Sequence, residues 1–101
     1  YGDGEQSRDF TFVHNAVQAN VLALTTDNAA ACNQAYNIAF GQRFTINQMY
    51  DAICAYLQKD IKAIHREPRD GDIRDSLADI SKAQQLLGYL PQYSFEQGLP
   101  L

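Results

Sequence analysis

Tyr1-Gly2-Asp3-Gly4-Glu5-Gln6-Ser7-Arg8-Asp9-Phe10-Thr11-Phe12-Val13 sets the fold class, because a turn, a strand and the start of a helix follow one another in it. Asp3-Gly4 accepts the positive φ angles of tight turns at low cost. Phe10 and Phe12 alternate with Thr11 and Val13, the two-residue period of a half-buried strand over residues 10–13. Next, Val13, Val17, Val21 and Leu24 recur at helical spacing with Ala16, Ala19 and Ala23 among them. This predicts an amphipathic helix over residues 14–26 whose alanines permit close packing. Thr26-Asp27-Asn28 ends it by competing for backbone hydrogen bonds, and residues 29–34 form a connector.

Working outward, Tyr36, Ile38 and Phe40 alternate up to Gly41 and predict a second strand. Thr45-Ile46-Asn47-Gln48 is a capping box, in which the threonine hydroxyl and the glutamine side chain satisfy each other's free backbone amides. The helix it opens carries Ile46, Met49, Tyr50, Ile53 and Leu57 on one face and runs to about Gln58. Ile61 to His65 is a weaker strand signal. Asp79 is expected to cap a short helix through Ile80, Ala83, Leu86 and Leu87, stopped by Gly88 with Pro91 just beyond. Ser94 with Gln97 makes one more capping box, with Gly98 and Pro100 too close for a full helix. The expected architecture is a small α/β (α+β) domain of short strands and three to four helices. No repeat, linker or low-complexity tract divides it.

The 101 residues are 46% hydrophobic and 20% charged, a profile of one domain with a real core and no need of staples or metal. Lys+Arg 8 against Asp+Glu 12 gives a net charge of -4, without the basic field that holds a phosphate backbone, so nucleic acid is not an expected partner. No apolar run approaches the roughly 18 residues of a membrane span, and the start has no secretory signal pattern. Cys32 and Cys54 form neither a C-x-x-C pair nor a zinc pattern; they are expected to be reduced and core-filling, which points to the cytoplasm.

General catalytic motifs are absent: there is no Gly-rich phosphate loop, no G-x-S-x-G and no Tyr followed four residues later by Lys. Asp70, Asp72, Asp75 and Asp79 do not make a calcium loop, which would need glycine at Asp75 and a ligand at Arg74. His14 and His65 each lack a positioned nucleophile and read as helix-end or surface residues. Arg8, at the strand entrance, and Arg69, in a loop framed by Pro68 and Gly71, carry the forked guanidinium that meets phosphate oxygens. The plain alternative for both is a surface ion pair of small worth.

Three ordered motifs carry a family resemblance over nearly the whole chain. Gly2-Asp3-Gly4-Glu5-Gln6-Ser7-Arg8-Asp9-Phe10 resembles the G-D-G-x-Q-S-R-D-F segment of the extended short-chain dehydrogenase/reductases, the NAD-dependent nucleotide-sugar epimerases and dehydratases. Tyr36 to Gly41 resembles their Y-N-x-x-x-G strand. The stretch from Arg69 to Ala83 resembles R-x-G-D-x-R-x-S-x-A-D-x-S-K-A. Within the family the likeness is strongest to bacterial UDP-N-acetylglucosamine 4-epimerases, which interconvert UDP-GlcNAc and UDP-GalNAc, or the related uronic acids, for surface polysaccharides. UDP-glucuronate decarboxylases and 4-epimerases share the S-R-D style of segment and stand as alternatives, as does a non-catalytic binding module on the same scaffold.

The resemblance implies the C-terminal substrate-binding part of such an enzyme, without its Rossmann domain. That domain would hold NAD and supply the Tyr-x-x-x-Lys pair; this segment would hold no cofactor and be inactive alone. Arg8 and Arg69 would grip the UDP diphosphate, Asp72 would accept bonds from ribose hydroxyls, and Tyr1 would lie near the uracil. Ser76 would set the width of the sugar pocket, its small side chain leaving room for an N-acetyl group. The enzyme would move a hydride from sugar C4 to NAD, let the 4-keto sugar rotate and return the hydride to its other face. Half of the cleft wall being absent, the isolated chain is expected to bind UDP weakly or not at all. Its faces meant for the missing domain should be apolar and promote self-association, and the parent is expected to be a homodimer. His14-Asn15 departs from the acidic start of the family's helix, with Asn15 expected as the cap, and Phe40 and Phe44 are larger than the pattern near Gly41.

Overall fold

The computed structural model describes all of residues 1–101, and side-chain caps open two of its four α-helices. In chain order the elements are β1 (Ser7–Arg8), α1 (Val13–Thr25), a 3₁₀ turn (Ala29–Ala31), β2 (Phe44–Thr45), α2 (Ile46–Leu57), α3 (Ser81–Leu87) and α4 (Phe95–Gly98). The Thr45–Gln48 and Ser94–Gln97 capping boxes both form. Gly88 ends α3 in the left-handed region at φ 67°, as a glycine stop requires. The Asp79 carboxylate accepts from Ser81 N at 2.9 Å, but the N-cap of α3 is Ile80, one position after the expected Asp79. The result is the expected small α/β fold.

Strand positions differ from expectation. β1 and β2 pair antiparallel with Ser7 opposite Thr45 and Arg8 opposite Phe44, ahead of the Phe10–Val13 alternation. The ladder stops because the Asp9 carboxylate takes the amides of Phe40 and Gly41 at 3.0 and 2.9 Å. Phe10 and Phe12 serve instead as packing residues: Phe10 lies 5.7 Å from Phe95 and Phe12 5.1 Å from Tyr93, centroid to centroid. Phe44, oversized by the family pattern, joins the same cluster 4.9 Å from Phe95. Residues 34–40 make no backbone-to-backbone hydrogen bond, so the alternating Tyr36–Phe40 stretch forms no strand within these residues. Ile61 to His65 is irregular as well, and every residue from 59 to 77 is exposed.

The core is small. Ala19, Ala39, Ile80, Ala83 and Tyr89 form it, with Leu22, Tyr36, Ile38 and Ala78 packed against it. Ala19 and the fully buried Ala83 let α1 and α3 approach closely. The valine stripe of α1 therefore faces outward, against expectation: Val13, Val17, Val21 and Leu24 are 62%, 53%, 52% and 86% exposed. Asn15 is no cap but a wholly buried residue inside α1. Its amide accepts from Gln92 N and Tyr93 N at 3.0 and 3.1 Å and donates to Tyr93 O at 2.7 Å. No residue of α2 is fully buried, and Leu57 is exposed. Both cysteines are free, yet Cys32 is exposed and Cys54 only half-buried, so neither fills the core. No helix is long and apolar enough to cross a membrane.

The fold is also flat, 51 × 32 × 15 Å. Its radius of gyration is 16.5 Å, against about 13 Å for a compact domain of this length. Its accessible surface is 7284 Å², where a compact 11.3 kDa monomer exposes about 5,700 Å². The expectation of a self-sufficient core is thus not met. The surplus of about 1,600 Å² is about twice what one partner buries in a standard protein interface.

Candidate nucleotide-binding site

Two segments far apart in sequence build the principal hollow: the turn at residues 1–6 and the exposed stretch 65–74. Gly4 makes the turn possible. Its φ of +77° puts it in the left-handed region, and a Cβ there would meet the Asn47 side-chain oxygen at 2.0 Å. The turn is sewn to the start of α2, where Ile46 N donates to Gln6 O at 3.0 Å and Asn47 N to Gly4 O at 2.9 Å. Asp3 folds it further by accepting from Glu5 N at 2.9 Å.

Polar ties alone bring the second segment alongside. Gly2 N donates to Arg66 O at 2.8 Å. The contact of His65 Nδ1 with Gly2 O is 2.9 Å, and because a carbonyl only accepts, that nitrogen carries the proton. Arg74 grips Asp3 through two parallel bonds of 2.8 and 3.2 Å. Hydrogen bonding to Arg74, and then to the Glu5 amide, holds the Asp3 carboxyl below its ordinary value, and the Asp3 carboxylate in turn raises Arg74.

Between the segments lies an open hollow of about 560 Å³. Tyr1, Arg69 and Asp72, three of the five residues singled out from sequence, line it. The Arg69 guanidinium sits 4.1 Å from the centroid of the Tyr1 ring. It has no carboxylate within ion-pair distance, so its N–H edge is free to meet another anion. Arg8 does not line the hollow; its Nη2 bonds Asp72 Oδ1 at 2.8 Å, and Asp72 does line it. Its Nη1 is fixed by Ser7 O at 2.7 Å. Ser76 also lies outside the lining, held through its backbone by Ser7 O at 3.0 Å. Sequence reasoning did not single out Asp3, Arg66, Arg74 or His65. The arginines and Asp3 stood in the quoted motifs and ionic cluster, but the Asp3–Arg74 pair joins residues 71 positions apart that no local pattern links.

The arrangement suits a flat aromatic or sugar-bearing anion: three arginines, Arg66, Arg69 and Arg74, face the hollow beside one exposed aromatic ring. No three His, Cys, Asp or Glu side chains gather as metal ligands.

The family model described as GDP-mannose 4,6 dehydratase matches residues 1–100. The chain belongs to this family of NAD-dependent epimerases and dehydratases. It is 32% identical over 99 residues to a putative UDP-glucose 4-epimerase of Methanocaldococcus jannaschii, covering 98% of this chain and 30% of that protein. Among solved structures, a UDP-N-acetylglucosamine 4-epimerase of Methanobrevibacter ruminantium M1, in complex with UDP-N-acetylmuramic acid, is 40% identical with a TM-score of 0.87. The match covers 98% of this chain and 31% of that one. A UDP-glucuronic acid 4-epimerase of Bacillus cereus, in complex with UDP-glucuronic acid and NAD, is 30% identical with a TM-score of 0.90, over 99% and 32%. The fold matches the C-terminal part of these epimerases. The chain spans about a third of the length of the relatives it matches.

NAD, bound in the family, does not fit the residues present here. Neither long helix opens on a glycine-rich turn: α1 follows Phe12, and the first amides of α2 are taken by the Thr45–Gln48 capping box. There is also no Tyr-x-x-x-Lys pair.

Proposed function

We propose that this chain is the UDP-sugar-binding part of a UDP-N-acetylglucosamine 4-epimerase. The observation that carries the reading is the meeting of Tyr1, Arg69 and Asp72 at one hollow, with Arg8 drawn to it through Asp72. Arg69 and Arg8 hold the diphosphate through charge-assisted bonds, Asp72 accepts from the ribose and Tyr1 supports the uracil. Firm grip on the nucleotide fits a reaction in which C4 of the sugar is oxidised, the keto sugar turns over and the opposite face is reduced, since the sugar itself must stay loosely held. The overall charge of -4 does not oppose this, because nearby guanidinium groups set the potential within a hollow.

The small Ser76 and the 40% identity to the Methanobrevibacter enzyme support an N-acetylated sugar. A second reading, UDP-glucuronate 4-epimerisation, is favoured by Arg66, a further arginine of the hollow outside any ion pair, which suits a uronic carboxylate; Arg74 is already held by Asp3. The remaining two-thirds of a family-length polypeptide supplies NAD and the groups that react, and it covers the surplus surface of α1 and Tyr36–Phe40. The test is product analysis: a family-length protein carrying residues 1–101, incubated with NAD and UDP-GlcNAc, forms UDP-GalNAc. Turnover of UDP-glucuronate alone supports the second reading, and turnover of neither overturns both.

A further inference from the structure

We infer that Ser7 and Asp75 are positioning residues for the diphosphate clamp, their hydrogen bond fixing the register in which the arginine-bearing stretch lies along β1. The inference rests on the nucleotide reading above. Since residues 59–77 are all exposed, no apolar packing sets where this stretch docks. Ser7, in contrast, is only 6% exposed, and it is tied to the stretch at three points. Ser7 N donates to Arg74 O at 2.8 Å, Ser76 N donates to Ser7 O at 3.0 Å, and Ser7 Oγ donates to Asp75 Oδ1 at 2.6 Å. The first two are main-chain bonds of a parallel bridge that any neighbouring register also offers. Only the third reads the identity of the residue opposite.

The same bond selects the partner of Arg8. Asp72 and Asp75 are both near β1, and the Ser7 hydroxyl engages Asp75, leaving Arg8 to Asp72 at the hollow. Without the hydroxyl, Asp75 competes for the Arg8 guanidinium and draws it away from the phosphate position. Ser7 and Asp75 touch no ligand themselves; they act through Arg8 and Arg69.

The test titrates UDP and uridine separately into a ¹⁵N-labelled family-length protein carrying residues 1–101, reading the amide shifts of these residues. The wild-type protein prefers UDP over uridine by about tenfold, one charge-assisted bond's worth. Ser7→Ala lowers that preference below about twofold while leaving uridine binding unchanged, and Ser7→Thr, which keeps the hydroxyl, restores it. Unchanged preference in Ser7→Ala overturns the inference, as does equal weakening of UDP and uridine, the mark of a merely structural role. If Ser7→Ala does not fold, Asp75→Ala tests the register alone by the same readout, since it removes the hydrogen bond and the competing carboxylate together. A wild-type family-length protein that prefers neither ligand overturns the nucleotide reading itself, a result distinct from failure of the variants.

Discussion

Gly4→Ala tests whether the N-terminal turn is built as described. The left-handed conformation costs an alanine about 1–2 kcal/mol. The new methyl would also collide with the Asn47 side chain, whose oxygen lies 2.0 Å from the built Cβ. Asn47 must move, and with it go its bonds to Asp3 O at 3.0 Å and Glu5 Oε1 at 2.6 Å. At about 0.5–1 kcal/mol for each exposed bond, the total is about 2–4 kcal/mol. Gly2→Ala is the internal control: its φ is +72°, but nothing lies within 4 Å of a Cβ there, so only the backbone cost of about 1–2 kcal/mol applies. Urea unfolding should place the Gly4→Ala midpoint about 1 M below that of Gly2→Ala. Equal midpoints for the two variants would refute the packing of the turn on α2.

Other outcomes follow from the same contacts. Asn15→Ala leaves three backbone groups without partners and should cost about 3 kcal/mol in urea unfolding, well above the ~1 kcal/mol of a lost helix cap. The Asp3 and Asp79 carboxyls are held below their ordinary value, by hydrogen bonds from Arg74 and Ser81 respectively. Their contribution to stability is complete above the unfolded carboxyl value of roughly 3.9 and disappears as pH falls through the folded values, which acid titration of the Glu5 and Ser81 amide shifts will show. Burial, and then the charge of Asp9, raises the Tyr89 phenol. Its contribution is complete below roughly 10 and is lost as pH rises through the folded value, so Tyr89 should titrate late in an alkaline absorbance scan and the core should loosen with it. The exposed Val13–Leu24 stripe should make the isolated chain self-associate in light scattering; Val17→Lys with Val21→Lys abolishes this, whereas a strictly monomeric wild type at high concentration contradicts the account of that face.

Local features were legible in the sequence and pairings were not. Both capping boxes and the Gly88 stop were readable because each involves residues three or four apart. The helical span of α1 was readable too, but its buried face was not: valine and alanine stripes share the same period, and the choice between them is made by Ala83, far along the chain. The strand at Ser7–Arg8 depends on β2, which no alternation marks. Tyr36–Phe40 has strand chemistry but no ladder among these residues. In the site, the motifs pointed to Tyr1, Arg69 and Asp72, which the fold brings together. Arg8 reaches them only through Asp72, and Ser76 stands apart from the hollow. The Asp3–Arg74 and Ser7–Asp75 pairs were invisible because their members stand 71 and 68 positions apart.

The central claim is that residues 1–8 and 65–76 form one diphosphate-nucleotide site. Mapping amide shifts of residues 1–101 within a family-length protein as UDP rises into the millimolar range tests it most directly. Among residues 1–101, shifts should concentrate in those two segments and vanish in Arg69→Ala. Shifts centred instead on the Phe10–Phe95 aromatic cluster, or none at all, would contradict it.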